Sequence, residues 1–173
     1  LVTNIDPDGL KRLSFVEAGI LAGKPGINSE GLGMVVNGMY STSDDWSRFH
    51  KPFHVRCYEI LRSKSLNEAL NVLTNTPRSC TANFLLGHTD QGAIDIELAP
   101  ETMNIINPVK DVLSHANHFV DPEILDITEP PNPRRYLSEF RHKQMENLLL
   151  KHKPLDVEKM KKILSNHDNY PQS

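Results

Sequence analysis

The residues best suited to chemistry lie in Leu113-Ser-His-Ala-Asn-His-Phe119, a polar stretch at the end of a weakly apolar strand pattern. Asn117 is an uncharged amide flanked by His115 and His118. Such an amide can donate a hydrogen bond to a developing oxyanion without introducing a competing charge. The same residues admit other chemistry. His115 and His118 invite a metal, although His-x-x-His at a strand end is not the i, i+4 pair with which a helix holds zinc. Cys80, His115 and Asn117 have the residue types of a Cys-His-Asn constellation. Yet Cys80 stands just before a strand, not at a helix N-terminus that would depress its thiol pKa. The plainest alternative is that Asn117 caps the strand end or holds a loop. Asn37 is a second amide at a strand end, where an Asx-type turn before Gly38 is the plain reading.

Positioning these residues requires a β-rich framework. Leu1 to Ile5 reads as a strand, as does Leu13 to Ala18, with a turn at Gly23 to Gly26. Residues 27–37 form a hairpin pattern turning at Asn28 to Gly31, where Gly31 and Gly33 permit positive φ or close backbone approach. Pro52 suits the first turn of a helix reaching about Ser63, with Phe53, Cys57, Ile60 and Leu61 on one face. Ser65-Leu-Asn-Glu68 is a capping box opening a short helix that turns Leu66, Ala69, Leu70 and Leu73 inward. Thr81 to Gly87 and Ala93 to Leu98 make the clearest hairpin. Ile94, Ile96 and Leu98 alternate there with Asp95 and Glu97, which predicts one buried and one polar face. Thr102 to Asn107 supplies a third strand. After the Pro-rich 129–133 stretch, a helix reaches Lys151 with Leu137, Phe140, Met145, Leu148 and Leu149 as its stripe, and a last helix carries Val157, Met160 and Leu164. Arg134 and Arg135 read as solvated charges in the first helical turn, and Trp46 as an aromatic that packs its loop onto the protein.

Composition narrows the function classes. At 38% apolar and 24% charged, the chain is built neither for a bilayer nor for disorder. A net charge of −3 makes no case for nucleic acid, and Lys151, Lys153, Lys159, Lys161 and Lys162 read as a solvated helix face. No apolar run approaches the roughly 20 residues a spanning helix needs, so no membrane partner is expected. Two cysteines make no disulfide framework; Cys57 reads as a buried small hydrophobe, and a reducing cytoplasm fits. No cofactor is implied.

In chain order, residues 26–37 and His115-Ala-Asn-His118 resemble the acyl-CoA:6-aminopenicillanic acid acyltransferase family, a branch of the N-terminal nucleophile hydrolases. Supporting matches are Phe15-Val-Glu-Ala-Gly-Ile20, Arg141-His-Lys-Gln-Met-Glu146 and Asp168-Asn-Tyr-Pro171. The resemblance implies an α+β fold, an αββα sandwich of two packed sheets, incomplete here. It implies a precursor that cuts itself to expose an N-terminal cysteine, whose thiol attacks an amide or thioester and whose α-amine serves as base. Asn117 would then be the catalytic oxyanion donor, and Asn37 would face substrate. The family's cysteine precedes the segment resembling Leu1 onward, so residues 1–173 are expected to be an internal portion of one longer domain, inactive alone. Ala99 stands where the family has a serine, and penicillin chemistry is not expected. The implied partner is a small-molecule acyl substrate, acyl-CoA among them. Association with the remaining segments of the precursor, or with a second copy, is also expected. The competing class is a non-catalytic fragment that assembles with a partner chain for binding or structure.

Overall fold

Alternating apolar residues and short turns build an antiparallel meander in the computed structural model, which describes residues 1–20 and 23–167. Its strands are β1 (Val2–Ile5), β2 (Lys11–Ser14), β3 (Gly26–Asn28), β4 (Leu32–Gly38), β5 (Ala82–His88), β6 (Gly92–Leu98) and β7 (Met103–Ile106). Each pairs antiparallel with the next, giving a single seven-stranded sheet in sequence order. Helices α1 (Phe53–Ile60) and α2 (Leu66–Thr74) separate β4 from β5, and α3 (Arg135–Lys151) and α4 (Val157–Leu164) follow the sheet. The class is α+β, as expected. The Asp168-Asn-Tyr-Pro171 match lies outside the described residues.

Local chemistry explains most boundaries. In the β3–β4 turn, Asn28 Oδ1 accepts from the amides of Glu30 and Leu32, both at 3.0 Å. Its Nδ2 donates to the carbonyls of Leu61 and Ser63, so one side chain shapes the turn and ties it to the end of α1. Gly31 has φ +92°, and a Cβ there would meet Thr89 Oγ1 at 2.3 Å; Gly33, expected to share this role, is an ordinary strand residue. Strand β2 stops at Ser14, short of the expected Ala18, because the chain turns through the Ile20 amide and Glu17 carbonyl. The capping box is half formed. Ser65 Oγ accepts from the Glu68 amide, but Glu68 Oε2 reaches the Lys64 amide and not that of Ser65.

One face of the sheet carries the core. Leu32, Met34, Phe84, Leu86, Ile96 and Leu98 pack against Cys57, Ile60 and Leu61 of the α1 region and Leu66, Ala69 and Leu73 of α2. Each fully buried aliphatic side chain there contributes about 1.5–3 kcal/mol.

The opposite face departs from expectation. Alternation predicted that Asp95 and Glu97 would face solvent, yet both are fully buried, at 0% exposure. They are covered by residues 113–120, which cross that face, and by α3 beyond them. The strand expected to end in this segment is not formed: Val109 and Val112 make an isolated bridge just before it, and residues 113–120 join no ladder among the described residues. The helical stripes also shift. α3 buries Ser138 and Leu149 and leaves Phe140 exposed, because it faces the polar segment at its start and α4 at its end. α4 buries Ile163 beside Met160 and leaves Val157 and Leu164 exposed. Farther along the same sheet face, Leu13, Ile27 and Val35 are uncovered and line a groove of about 480 Å³.

Candidate functional site

Side chains do for residues 113–120 what a ladder does for a strand. The Asn117 amide donates to Ser138 Oγ at 2.7 Å, the Phe119 amide to Glu129 Oε1 at 3.1 Å, and the Val120 amide to Glu97 Oε1 at 2.6 Å. Backbone donors that leave a sheet need such partners. The Asn117 side chain is fixed as well. Its Nδ2 donates to the Gly38 carbonyl at the end of β4 (3.0 Å), and its Oδ1 accepts from the Arg141 guanidinium (2.9 Å). A carbonyl accepts only and a guanidinium donates only, so the amide has one allowed orientation. One Nδ2 hydrogen is committed to Gly38. The other meets no acceptor among the described residues; Asn117 is exposed, at the rim of a cavity of about 240 Å³ shared with Tyr40, His118, Glu129 and Arg135.

Beneath the segment lies a buried polar chain. Register places Asn37 opposite Asn83 and Asn83 opposite Glu97, with Asp95 two residues earlier on the same face. Asn37 Nδ2 donates to Asn83 Oδ1 (3.0 Å), and Asn83 Nδ2 donates to Asp95 Oδ1 (2.6 Å). His115 Nε2 then sits 2.9 Å from Glu97 Oε1 and 3.8 Å from Asp95 Oδ2. His115 Nδ1 faces the Ala116 carbonyl, an acceptor, and so carries a hydrogen. Burial would depress the His115 pKa, but the Glu97 hydrogen bond and the neighbouring carboxylates outweigh it and raise it. Burial pushes the Asp95 carboxyl up to about 6, against the pull of His115 and Asn83. Among the described residues, Asp95 Oδ2 and Glu97 Oε2 have no hydrogen-bond partner.

His118 has the opposite environment. Burial first, then the neighbouring His142 and Arg135, lower its pKa to about 4, so it is neutral at pH 7. Its Nδ1 lies 2.8 Å from Ser138 Oγ, which already accepts from the Asn117 amide. We assign the serine hydroxyl as donor to Nδ1, leaving the ring hydrogen on Nε2. The rings of His115, His118 and His142 stand 5.5–6.2 Å apart.

The structure thus brings Asn37 and Asn117 to adjacent places, since Gly38 beside Asn37 accepts from Asn117. It does not bring Cys80 to them. Cys80 lines a separate cavity with Trp46, Arg56 and Arg78, and burial raises its pKa. Cys57 is fully buried, its thiol pushed up to about 12. Trp46 does not pack its loop down; it is 73% exposed, and the loop is held by Asp44, which accepts from the Thr81 amide and hydroxyl. Arg134 is exposed as expected, but Arg135 is half-buried, paired with Glu129 and Glu139 and bonded to the Phe119 carbonyl. Sequence reasoning missed Glu97, Asp95, Asn83 and Ser138. Only Ser138 left a signal, because Ser138, His142, Met145 and Leu149 follow helical spacing.

The fold has a counterpart among solved structures. A Caenorhabditis elegans N-acylethanolamine-hydrolyzing acid amidase (NAAA) ortholog superposes with a TM-score of 0.65 at 13% identity, covering 94% of this chain and 75% of that one. A variant of conjugated bile acid hydrolase from Clostridium perfringens gives a TM-score of 0.46 at 14% identity, covering 82% of this chain and 43% of that one. No curated protein matches the sequence. Among the described residues no helix is long and apolar enough to cross a membrane. Residues 2–173 match the family described as Acyl-coenzyme A:6-aminopenicillanic acid acyl-transferase, and the chain therefore belongs to that family, a branch of the N-terminal nucleophile hydrolases.

Proposed function

We propose that residues 1–173 are an internal portion of one longer catalytic domain that moves acyl groups from amides or thioesters to an amine or water. The nucleophile is an N-terminal cysteine on a segment preceding Leu1, exposed by self-cleavage. Its thiol adds to the acyl carbonyl, the donor's amine or thiol departs, and the acyl-enzyme thioester is then taken by an amine or water. Family membership supports the acyl chemistry. The burial of Cys57 and the separate cavity of Cys80 support a nucleophile other than either. The uncovered apolar sheet face at Leu13, Ile27 and Val35 supports a domain larger than the described residues. A small-molecule acyl compound, acyl-CoA among the candidates, is the substrate, and two free cysteines support a cytoplasmic setting.

Asn117 donates its second Nδ2 hydrogen to the tetrahedral oxyanion. The observation that carries this role is the orientation of its amide. With Gly38 accepting from one hydrogen and Arg141 polarising the carbonyl, the remaining N–H is aimed and strengthened. Asn37 faces substrate from the neighbouring strand end. In the full-length enzyme, Asn117→Ala is expected to lower kcat by about 10²–10³-fold with KM little changed. An unchanged kcat would sink the assignment.

A further inference from the structure

We propose that Glu97 is a positioning residue for Asn117, holding the flanks of its segment through the His115 ring and the Val120 amide. The inference rests on the reading of Asn117 given above. A single oxygen, Glu97 Oε1, receives the Val120 amide at 2.6 Å and meets His115 Nε2 at 2.9 Å. These residues bracket Asn117 on both sides, in a segment that has no ladder to hold it. The carboxylate is anchored to β6, whose pairing with β5 on one side and β7 on the other makes it an interior strand of the sheet. Glu97 itself is 0% exposed, and its second oxygen has no hydrogen-bond partner among the described residues. Burying a carboxylate so incompletely satisfied costs folding free energy, and a carboxylate kept at such a place fits a positioning duty better than a stabilising one.

The other clamps on Asn117 come from different elements: Ser138 and Arg141 of α3 hold its amide and side-chain carbonyl, and Gly38 of β4 takes its Nδ2. Glu97 is therefore the contact that ties the segment's two ends to the sheet floor. Asn83 and Asp95 extend that floor back to Asn37, so both candidate amides refer to one rigid strand pair. An oxyanion donor must be held within about 0.5 Å of its productive place, and a displacement of about 1 Å costs about 10²-fold. The expected effect of freeing both flanks is a displacement of that order.

The test is a double-mutant cycle in the full-length enzyme, read as kcat and KM on an acyl substrate. Glu97→Ala is expected to lower kcat by about 10²-fold with KM little changed. On the Asn117→Ala background the same change is expected to cost less than about threefold, because a positioning residue has nothing left to position. Glu97→Gln keeps a carbonyl acceptor for Val120 and is expected to restore most of kcat. Glu97→Asp keeps the carboxyl group but withdraws the acceptor by one methylene, and is expected to behave as Ala does; it carries the cycle if the Ala variant does not fold. Losses that multiply in the double variant, or wild-type kcat in Glu97→Asp, overturn the proposal. If Asn117→Ala itself leaves kcat unchanged, the reading of Asn117 is what fails, and this proposal falls with it.

Discussion

Replacing Ser138 by alanine isolates the joint between α3 and the candidate segment. The Ser138 hydroxyl accepts from the Asn117 amide at 2.7 Å and meets His118 Nδ1 at 2.8 Å, while Ser138 and His118 are 4% and 6% exposed. Alanine leaves a backbone donor and a buried ring nitrogen without their partner. A lost bond to a buried group costs about 1–3 kcal/mol, and the Asn117 amide, on an exposed residue, regains water and adds less than about 1. The expected loss is therefore about 1–4 kcal/mol. Urea unfolding followed by far-UV circular dichroism would read it as a midpoint lowered by about 0.5–2 M for a slope near 2 kcal/mol/M. Ser138→Thr, which retains the hydroxyl, should recover most of the loss. A midpoint within 0.2 M of wild type for the alanine variant, on an unchanged slope, would refute the reasoning.

Other perturbations give separate outcomes. Arg141→Ala removes the donor to Asn117 Oδ1 from an exposed site; a loss of about 1 kcal/mol should lower kcat about fivefold with KM unchanged, measured by steady-state kinetics. Asp6→Asn breaks the buried pair with Arg12, whose side chains are each 7% exposed, and should cost about 3 kcal/mol at pH 7 in denaturant unfolding. The Arg12 hydrogen bond holds the Asp6 carboxyl below its usual range, so that stability is present above the unfolded pKa and lost as pH falls through the folded one. The deficit of the Asn variant should accordingly vanish in acid. Asp95 has the opposite sign. With its folded pKa raised to about 6, its charge destabilises the native state progressively as pH rises from about 4 to above 6. Asp95→Asn should therefore be more favourable relative to wild type at pH 8 than at pH 4, by about 1–3 kcal/mol in paired unfolding curves.

Much of the framework could be read from local pattern. The β5–β6 hairpin, the helix after Pro52 and the Ser65 cap each depend on short-range chemistry, and each is found where that chemistry puts it. What could not be read is which polar face meets solvent. Asp95 and Glu97 alternate with Ile94, Ile96 and Leu98 just as exposed residues would, and only the distant segment 113–120 buries them. The segment in turn reads as the end of a strand because Val112 and Leu113 precede it. Its amides instead go to Glu97, Glu129 and Ser138, and no spacing rule links those positions. Asn117 was legible as an amide with chemical potential. Its orientation depends on Gly38 and Arg141, which meet it only through the fold.

The central claim is acyl transfer through a cysteine thioester steadied by Asn117, and trapping that thioester tests it most directly. The full-length enzyme would be treated with a thiol-reactive acyl probe and the labelled peptide mapped by mass spectrometry. The account predicts a single adduct on an N-terminal cysteine other than Cys57 and Cys80, forming about 10²–10³-fold more slowly in Asn117→Ala. Labelling of Cys80, or an adduct that forms as fast without Asn117, would contradict it.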